Sequence, residues 1–165
     1  MIFKFKNHKE DLYNTLLYLS RNLYFYNKIS LKDSFETRVY LMFMHFSIKL
    51  IIFKRKRIKF PQIDYDNLFN CIENNLRELG FGDIAVNKKM KDLNKIFYDI
   101  LLKINKSRKE FKLDQKLIIK YFNELDNLND IKYKLFEQYF TNYYNFCFDL
   151  DPNIMIKEAI KFRIK

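Results

Sequence analysis

The chain has 165 residues, of which 48% are hydrophobic and 18% aromatic. This composition excludes a disordered protein and suits one domain with its own core. Two cysteines, Cys71 and Cys147, lie far apart without a Cys-x-x-Cys motif, which argues against a disulfide framework or a zinc ribbon and favours ordinary packing in a reducing compartment.

The formal charge of +11 is unevenly distributed. Residues 1–60 contain 13 Lys and Arg against 4 Asp and Glu, whereas 61–110 and 111–165 each contain 9 against 8. An uneven charge distribution of this kind favours binding to an acidic partner, to RNA or to an anionic membrane surface, without choosing among them.

The hydropathy pattern of the sequence indicates neither export nor insertion into a membrane. The amino terminus, MIFKFKNHKEDLY, lacks the apolar segment of a secretory signal. The longest apolar run, residues 39–53, contains His45 and Lys49 and is shorter than the roughly 20 residues of a membrane span. We therefore expect a protein that is not exported and has no transmembrane segment.

Apolar residues recur at spacings of three and four, and period-two alternation is never sustained. The sequence therefore predicts an all-α fold, a single compact domain of six to seven helices. The predicted helices cover about 10–28, 33–54 (with its cap), 64–79, 84–105, 114–127, 130–147 and 152–163.

Two of these helices have clear start signals. Asp33 with Glu36 three residues later predicts a capping box for the second helix. Asp151 followed by Pro152 predicts the cap and first residue of the last helix.

The two glycines of the chain, Gly80 and Gly82, both follow the third predicted helix. Glycine just past a helix end adopts the left-handed conformation without steric cost. With Asp83 as the next N-cap, this Gly-x-Gly-Asp segment predicts a helix–turn–helix corner.

The second predicted helix carries a narrow polar stripe on an otherwise apolar surface. Its members, which fall within about 40° of one direction, are Ser34, Arg38, His45, Lys49 and Lys56. The stripe is either a solvated edge or a docking surface, with Arg38, His45 and Lys49 as candidate contacts. A basic cluster at its end, a candidate patch for anionic surfaces, comprises Lys54, Arg55, Lys56, Arg57 and Lys59.

Two further surfaces have a functional and a purely structural interpretation. Lys88, Lys91 and Lys95 lie opposite the apolar stripe of the fourth helix, as a solvated ridge or as a contact surface. A dense aromatic run in the sixth helix suggests exposed apolar surface for a partner or core packing. That run comprises Tyr139, Phe140, Tyr143, Tyr144, Phe146 and Phe148.

Motifs of common catalytic sites are absent, including phosphate-binding loops, dinucleotide fingerprints and the G-x-S-x-G elbow. Neither His8 nor His45 has the Glu three residues earlier that di-iron bundles need. Asp64 and Asp66 are better explained by the helix dipole than by a metal. We expect no catalysis, metal or cofactor.

Residues 76–91, LRELGFGDIAVNKKMK, followed by Phe97-Tyr98, resemble the signature of the ubiquinol–cytochrome c chaperone family, L-R-E-[LM]-G-V-G-D-x-x-V-G-K-x-[MV]-K and then F-Y. The resemblance extends over about 12–104, through Leu12-Tyr13, Ser20-Arg21, Phe25-Tyr26, the stretch DSFETR at 33–38 and His45. Asn87 in place of Gly, and Asp99-Ile100 in place of Gly-Arg, depart from the family pattern.

The resemblance implies a non-enzymatic assembly factor for the cytochrome bc complex that holds newly made cytochrome b, in mitochondrial relatives together with a small partner chaperone near the ribosome. It implies the bacterial cytoplasm beside the inner membrane, or the mitochondrial matrix in a eukaryote. Arg77 and Glu78 at the corner, with the lysine ridge, become candidate contacts; alternatively, Arg77 and Glu78 form a structural ion pair.

Two other functions are compatible with the sequence. The basic amino-terminal half is compatible with an RNA- or ribosome-binding protein, whose affinity would fall steeply with salt. An enzyme on a helical scaffold would need a pocket with convergent polar groups and perturbed pKa values.

Overall fold

The computed structural model describes residues 11–164, so the predictions made for MIFKFKNHKE and His8 lie outside the described residues. Within that range seven α-helices are present and no strand, which confirms the all-α prediction. They are α1 (Asp11–Ser20), α2 (Phe35–Arg55), α3 (Gln62–Glu78), α4 (Asp83–Lys103), α5 (Gln115–Tyr121), α6 (Ile131–Phe148) and α7 (Pro152–Glu158). None of these helices is long and apolar enough to cross a membrane.

The first predicted helix is divided into two. α1 ends at Ser20, whose hydroxyl donates a hydrogen bond to the Leu17 carbonyl, and a π-helical turn follows over Tyr24–Lys28. The phenol of Tyr26 donates back to the Ser20 carbonyl at 2.6 Å. This turn places the buried ring of Phe25 against the aromatic side chains of α6.

The start of α2 differs from the predicted capping box by one residue. Ser34 is the N-cap, since its backbone is extended and its hydroxyl accepts the Thr37 N–H. Asp33 instead accepts a hydrogen bond from Arg38. At α7 the prediction was right, because Asp151 caps the helix and Pro152 begins it.

Helix α2 lies at the centre of the fold and packs against α1, α4 and α6. Every residue from Leu41 to Lys49 is buried, so neighbours cover this helix on all its faces. Of the two interpretations of the aromatic run in α6, core packing fits most of its rings: four are buried, Phe146 is half-buried, and only Phe148, at the helix end, is exposed.

Candidate functional site

A cleft of about 460 Å³ lies between α1, the start of α2 and the end of α3. Its walls combine apolar and charged groups. They comprise Tyr13, Leu17, Arg21, Asp33, Ser34, Phe35, Arg38, Val39, Met42, Ile72, Asn75, Glu78 and Leu79. We call this feature the motif cleft, because Tyr13, Arg21, the 33–38 stretch and the 76–91 stretch all contribute to it.

The polar side of the motif cleft is only partly neutralised. Arg38 pairs with Asp33 at 2.7 Å, and both side chains remain substantially exposed. Asn75 donates to the phenol of Tyr13 at 3.0 Å, which ties α3 to α1. Within the described part of the chain, the exposed side chains of Arg21 and Glu78 form no ion pair, so both are available to a partner.

The corner between α3 and α4 forms one rim of the motif cleft through Leu79. Gly80 adopts the left-handed backbone with φ 95°, whereas Gly82 is extended and is the N-cap of α4. Asp83 is therefore the first residue of α4 and not its cap, which corrects the prediction. Its carboxylate pairs with Arg77 across the corner, and Arg77 also binds Glu73 at 2.9 Å.

This arrangement corrects the predicted Arg77–Glu78 ion pair, because the two partners of Arg77 are Glu73 and Asp83. Consecutive side chains on a helix point about 100° apart, which turns Glu78 away from Arg77. Glu78 faces the motif cleft instead.

The corner exposes three apolar side chains within six residues. Leu79 is 56% and Ile84 88% exposed, and Phe81 is also exposed, with the Lys89 ammonium 4.6 Å from its ring centroid. Exposed aliphatic groups this close together are unfavourable in water unless a partner covers them. The corner is therefore the apolar part of the candidate surface.

The two corner glycines should respond differently to the same substitution. Gly80→Ser forces a side chain into the left-handed region and should lower the free energy of unfolding by about 1 kcal/mol. Gly82→Ser should cost nothing, because the backbone there is extended, the space is open and serine is a preferred N-cap. Urea denaturation of both variants measures the difference, and equal destabilisation would contradict this description of the corner.

His45 and Lys49 are fully buried, so the predicted exposed stripe is wrong for both residues. α6 covers this face of α2: the Tyr139 hydroxyl lies 2.9 Å from His45 Nε2, while Nδ1 lies 2.7 Å from the Leu41 carbonyl. Because a carbonyl only accepts, Nδ1 carries the proton and Tyr139 donates to Nε2. Burial lowers the pKa of His45 to about 3, which keeps the ring neutral.

The amine of Lys49 has no hydrogen-bond partner among residues 11–164. Burial lowers its pKa to about 8, and the nearby thiol of Cys147 opposes that shift. Burial in turn raises the pKa of Cys147 to about 11, so this thiol is protonated and unreactive at neutral pH. Lys49 and Cys147 are therefore part of the core and not of a contact surface.

The predicted basic patch divides into structural and exposed cations. Arg55 donates to the Tyr144 hydroxyl at 2.6 Å, and Lys56 donates to the carbonyls of Phe148, the last residue of α6, and of Leu150 just beyond it. Lys54, Arg57 and Lys59 remain exposed. The lysine ridge of α4, Lys88, Lys91 and Lys95, is exposed along its whole length.

Sequence reasoning placed the contacts on charged residues and missed the apolar and aromatic walls of the motif cleft. Tyr13, Arg21 and Phe35 belong to stretches that resemble the family pattern, but they lie far apart in the sequence, and only the folded chain shows that they meet. Their joint occurrence in the family signature was the available signal.

A protein-family model described as ubiquinol-cytochrome C chaperone matches residues 27–119. No curated protein matches the chain, and no solved structure does. The matched range contains the α2 and α3 walls of the motif cleft, the corner and α4, whereas α1, α6 and α7 lie outside it.

Proposed function

Because the chain belongs to the ubiquinol-cytochrome C chaperone family, we propose that it binds newly made cytochrome b during assembly of the ubiquinol–cytochrome c reductase. Family membership supports the broader role, assembly of the bc complex. Cytochrome b as the client is the finer part of the proposal, and in this role the chain holds a folding partner without performing a reaction.

The observation that carries the proposal is the convergence of the motif stretches on one cleft with an exposed apolar rim. A newly made membrane protein presents apolar helices that need shielding from water, and Leu79, Phe81 and Ile84 offer matching apolar area. Arg21 and Glu78 beside them can pair with charged residues in the loops between those helices.

Binding of the client would bury the corner and leave the core unchanged. The middle of α2, from Leu41 to Lys49, is buried by its neighbours, so the start of this helix is held beside the motif cleft on a rigid support. Because this surface is already formed, little conformational entropy is lost when it binds a partner. Arg38, which lines the motif cleft, and the exposed lysines of α4, Lys88, Lys91 and Lys95, belong to the proposal as candidate contacts.

Deletion of the gene followed by a difference spectrum of the membranes tests the proposal. We expect loss of b-type haem absorbance from the bc complex, restored by the intact gene on a plasmid. Retention of a full b-type signal in the deletion strain would reject a role in cytochrome b assembly. Loss of another bc-complex subunit with normal cytochrome b would keep the broader role and reject this client.

A further inference from the structure

A second cleft, of about 470 Å³, adjoins the motif cleft along α1. The two clefts share Leu17 and Arg21 as wall residues. The remaining walls of the second cleft come from α1, from the residues just after it and from the segment that follows α7. We call it the arginine cleft, because Arg21 and Arg163 both line it.

The charge of the arginine cleft is unbalanced. No acidic side chain of residues 11–164 lines it, and neither Arg21 nor Arg163 forms an ion pair with these residues. The acidic residues near Arg21 belong to the motif cleft, where Asp33 is paired with Arg38 and Glu78 is the other carboxylate. A cleft with two cations and no acid of its own attracts an anionic group.

The guanidinium of Arg163 is held in place by neutral acceptors. Its Nη1 donates to the carbonyls of Ile160 and Phe162, each at 2.8 Å, and its Nη2 donates to the Tyr18 hydroxyl at 3.0 Å. The guanidinium carbon also lies 5.6 Å from the Tyr18 ring centroid. Because a guanidinium has five N–H groups, these three hydrogen bonds leave two for a ligand. A fixed guanidinium with N–H groups to spare is well suited to bind a carboxylate.

Apolar groups line the same cleft beside the two arginines. Leu23 is 66% and Tyr18 48% exposed, and the ring of Phe162 also contributes to the wall. Exposed apolar area of this kind favours a ligand that covers it. The ligand that fits the arginine cleft therefore has a carboxylate next to apolar side chains.

The position of the arginine cleft indicates which molecule supplies such a ligand. Because the two clefts share Leu17 and Arg21, a polypeptide that occupies the motif cleft reaches the arginine cleft without leaving the surface. A second copy of this chain, with its net charge of +11, is a poorer electrostatic match.

We infer that the arginine cleft binds a segment of the client in which an Asp or Glu side chain adjoins apolar ones, as where a membrane helix ends and its loop begins. The carboxylate pairs with Arg163 and Arg21, and the apolar neighbours cover Leu23 and Tyr18. This inference rests on the proposed function and names the chemistry of the bound segment.

Two substitutions of opposite charge at Leu23 test this inference. Leu23 lines the arginine cleft but not the motif cleft, and its backbone is helical, so both Asp and Lys fit there. Leu23→Asp should reduce capture of cytochrome b from detergent-solubilised membranes about tenfold, because the new carboxylate repels the client's acid and pairs with the arginines. Leu23→Lys should stay within about twofold of the native chain, because it adds a favourable charge.

Removal of a cleft cation complements the charge test. Arg163→Gln should reduce capture about fivefold, whereas Arg108→Gln, which changes an exposed arginine outside both clefts, should not. Ile154→Asp, at a 48% exposed position of α7, controls for the added carboxylate. Circular dichroism verifies that all variants are folded.

A photoreactive amino acid at position 23 identifies the occupant. We expect a cytochrome b adduct whose cross-linked peptide contains an Asp or Glu beside apolar residues. An adduct within the chain itself or with a second copy would overturn the inference, and so would equal losses for Leu23→Asp and Leu23→Lys. If Leu79→Asp lowers capture while every variant of the arginine cleft captures normally, the inference fails and the proposed function stands. If the native chain captures no cytochrome b, both fail.

Discussion

Replacing Lys49 with methionine should stabilise the protein by about 3 kcal/mol at pH 7. In the folded chain the pKa of Lys49 falls from 10.5 to about 8 because the amine is buried without a partner. Methionine fills a similar volume between α2 and α6 and carries no charge. Urea denaturation of both proteins at pH 7 measures the gain.

The sign of the pH dependence follows from the same pKa shift. Between pH 8 and 10.5 the unfolded chain binds more protons at Lys49 than the folded chain does, so raising the pH stabilises the fold. From pH 7 to pH 9.5 the advantage of Lys49→Met should therefore shrink by about 2 kcal/mol. Lys54→Met, which changes an exposed lysine of the same helix, should leave the profile unchanged. Parallel profiles for Lys49→Met and the native chain would contradict the burial of an unpartnered amine.

Leu79→Asp should reduce capture of the client at least about tenfold, because it puts a charge on the apolar rim of the motif cleft. The side chain is 56% exposed, so the fold should tolerate the change. The matched control is Leu102→Asp, which alters a 79% exposed leucine near the other end of α4. Capture of cytochrome b by the tagged full chain from detergent-solubilised membranes compares the variants, and equal capture by both would remove Leu79 from the contact surface.

Helix positions followed from the sequence because the apolar spacing and the caps are local signals. The apolar stripe of the fourth predicted helix shows this. Five of its members are buried as the spacing predicts and Met90 is half-buried; the buried ones are Val86, Leu93, Phe97, Ile100 and Ile104. At Asp33 and Asp83 the prediction was one residue off. The hydroxyl of Ser34, the neighbour of Asp33, caps α2, whereas α4 is capped by the extended backbone of Gly82 without a side-chain hydrogen bond, and Asp83 pairs with Arg77 instead.

Burial of the polar stripe could not be predicted in the same way. Spacing places His45 and Lys49 on one face of α2, but it does not say which element covers that face. The covering residue, Tyr139, lies 94 positions along the chain from His45. The motif cleft could not be predicted for the same reason, because its walls come from three segments that are separate in the sequence.

Site-specific photo-cross-linking tests the proposed contact with the client most directly. The cross-linker is placed in the motif cleft, in cells that are synthesising the bc complex. A photoreactive amino acid at position 79 should form a covalent adduct with cytochrome b, and one at position 102 should not. Adducts only with other proteins at position 79, or equal yields of the cytochrome b adduct at both positions, would contradict the account.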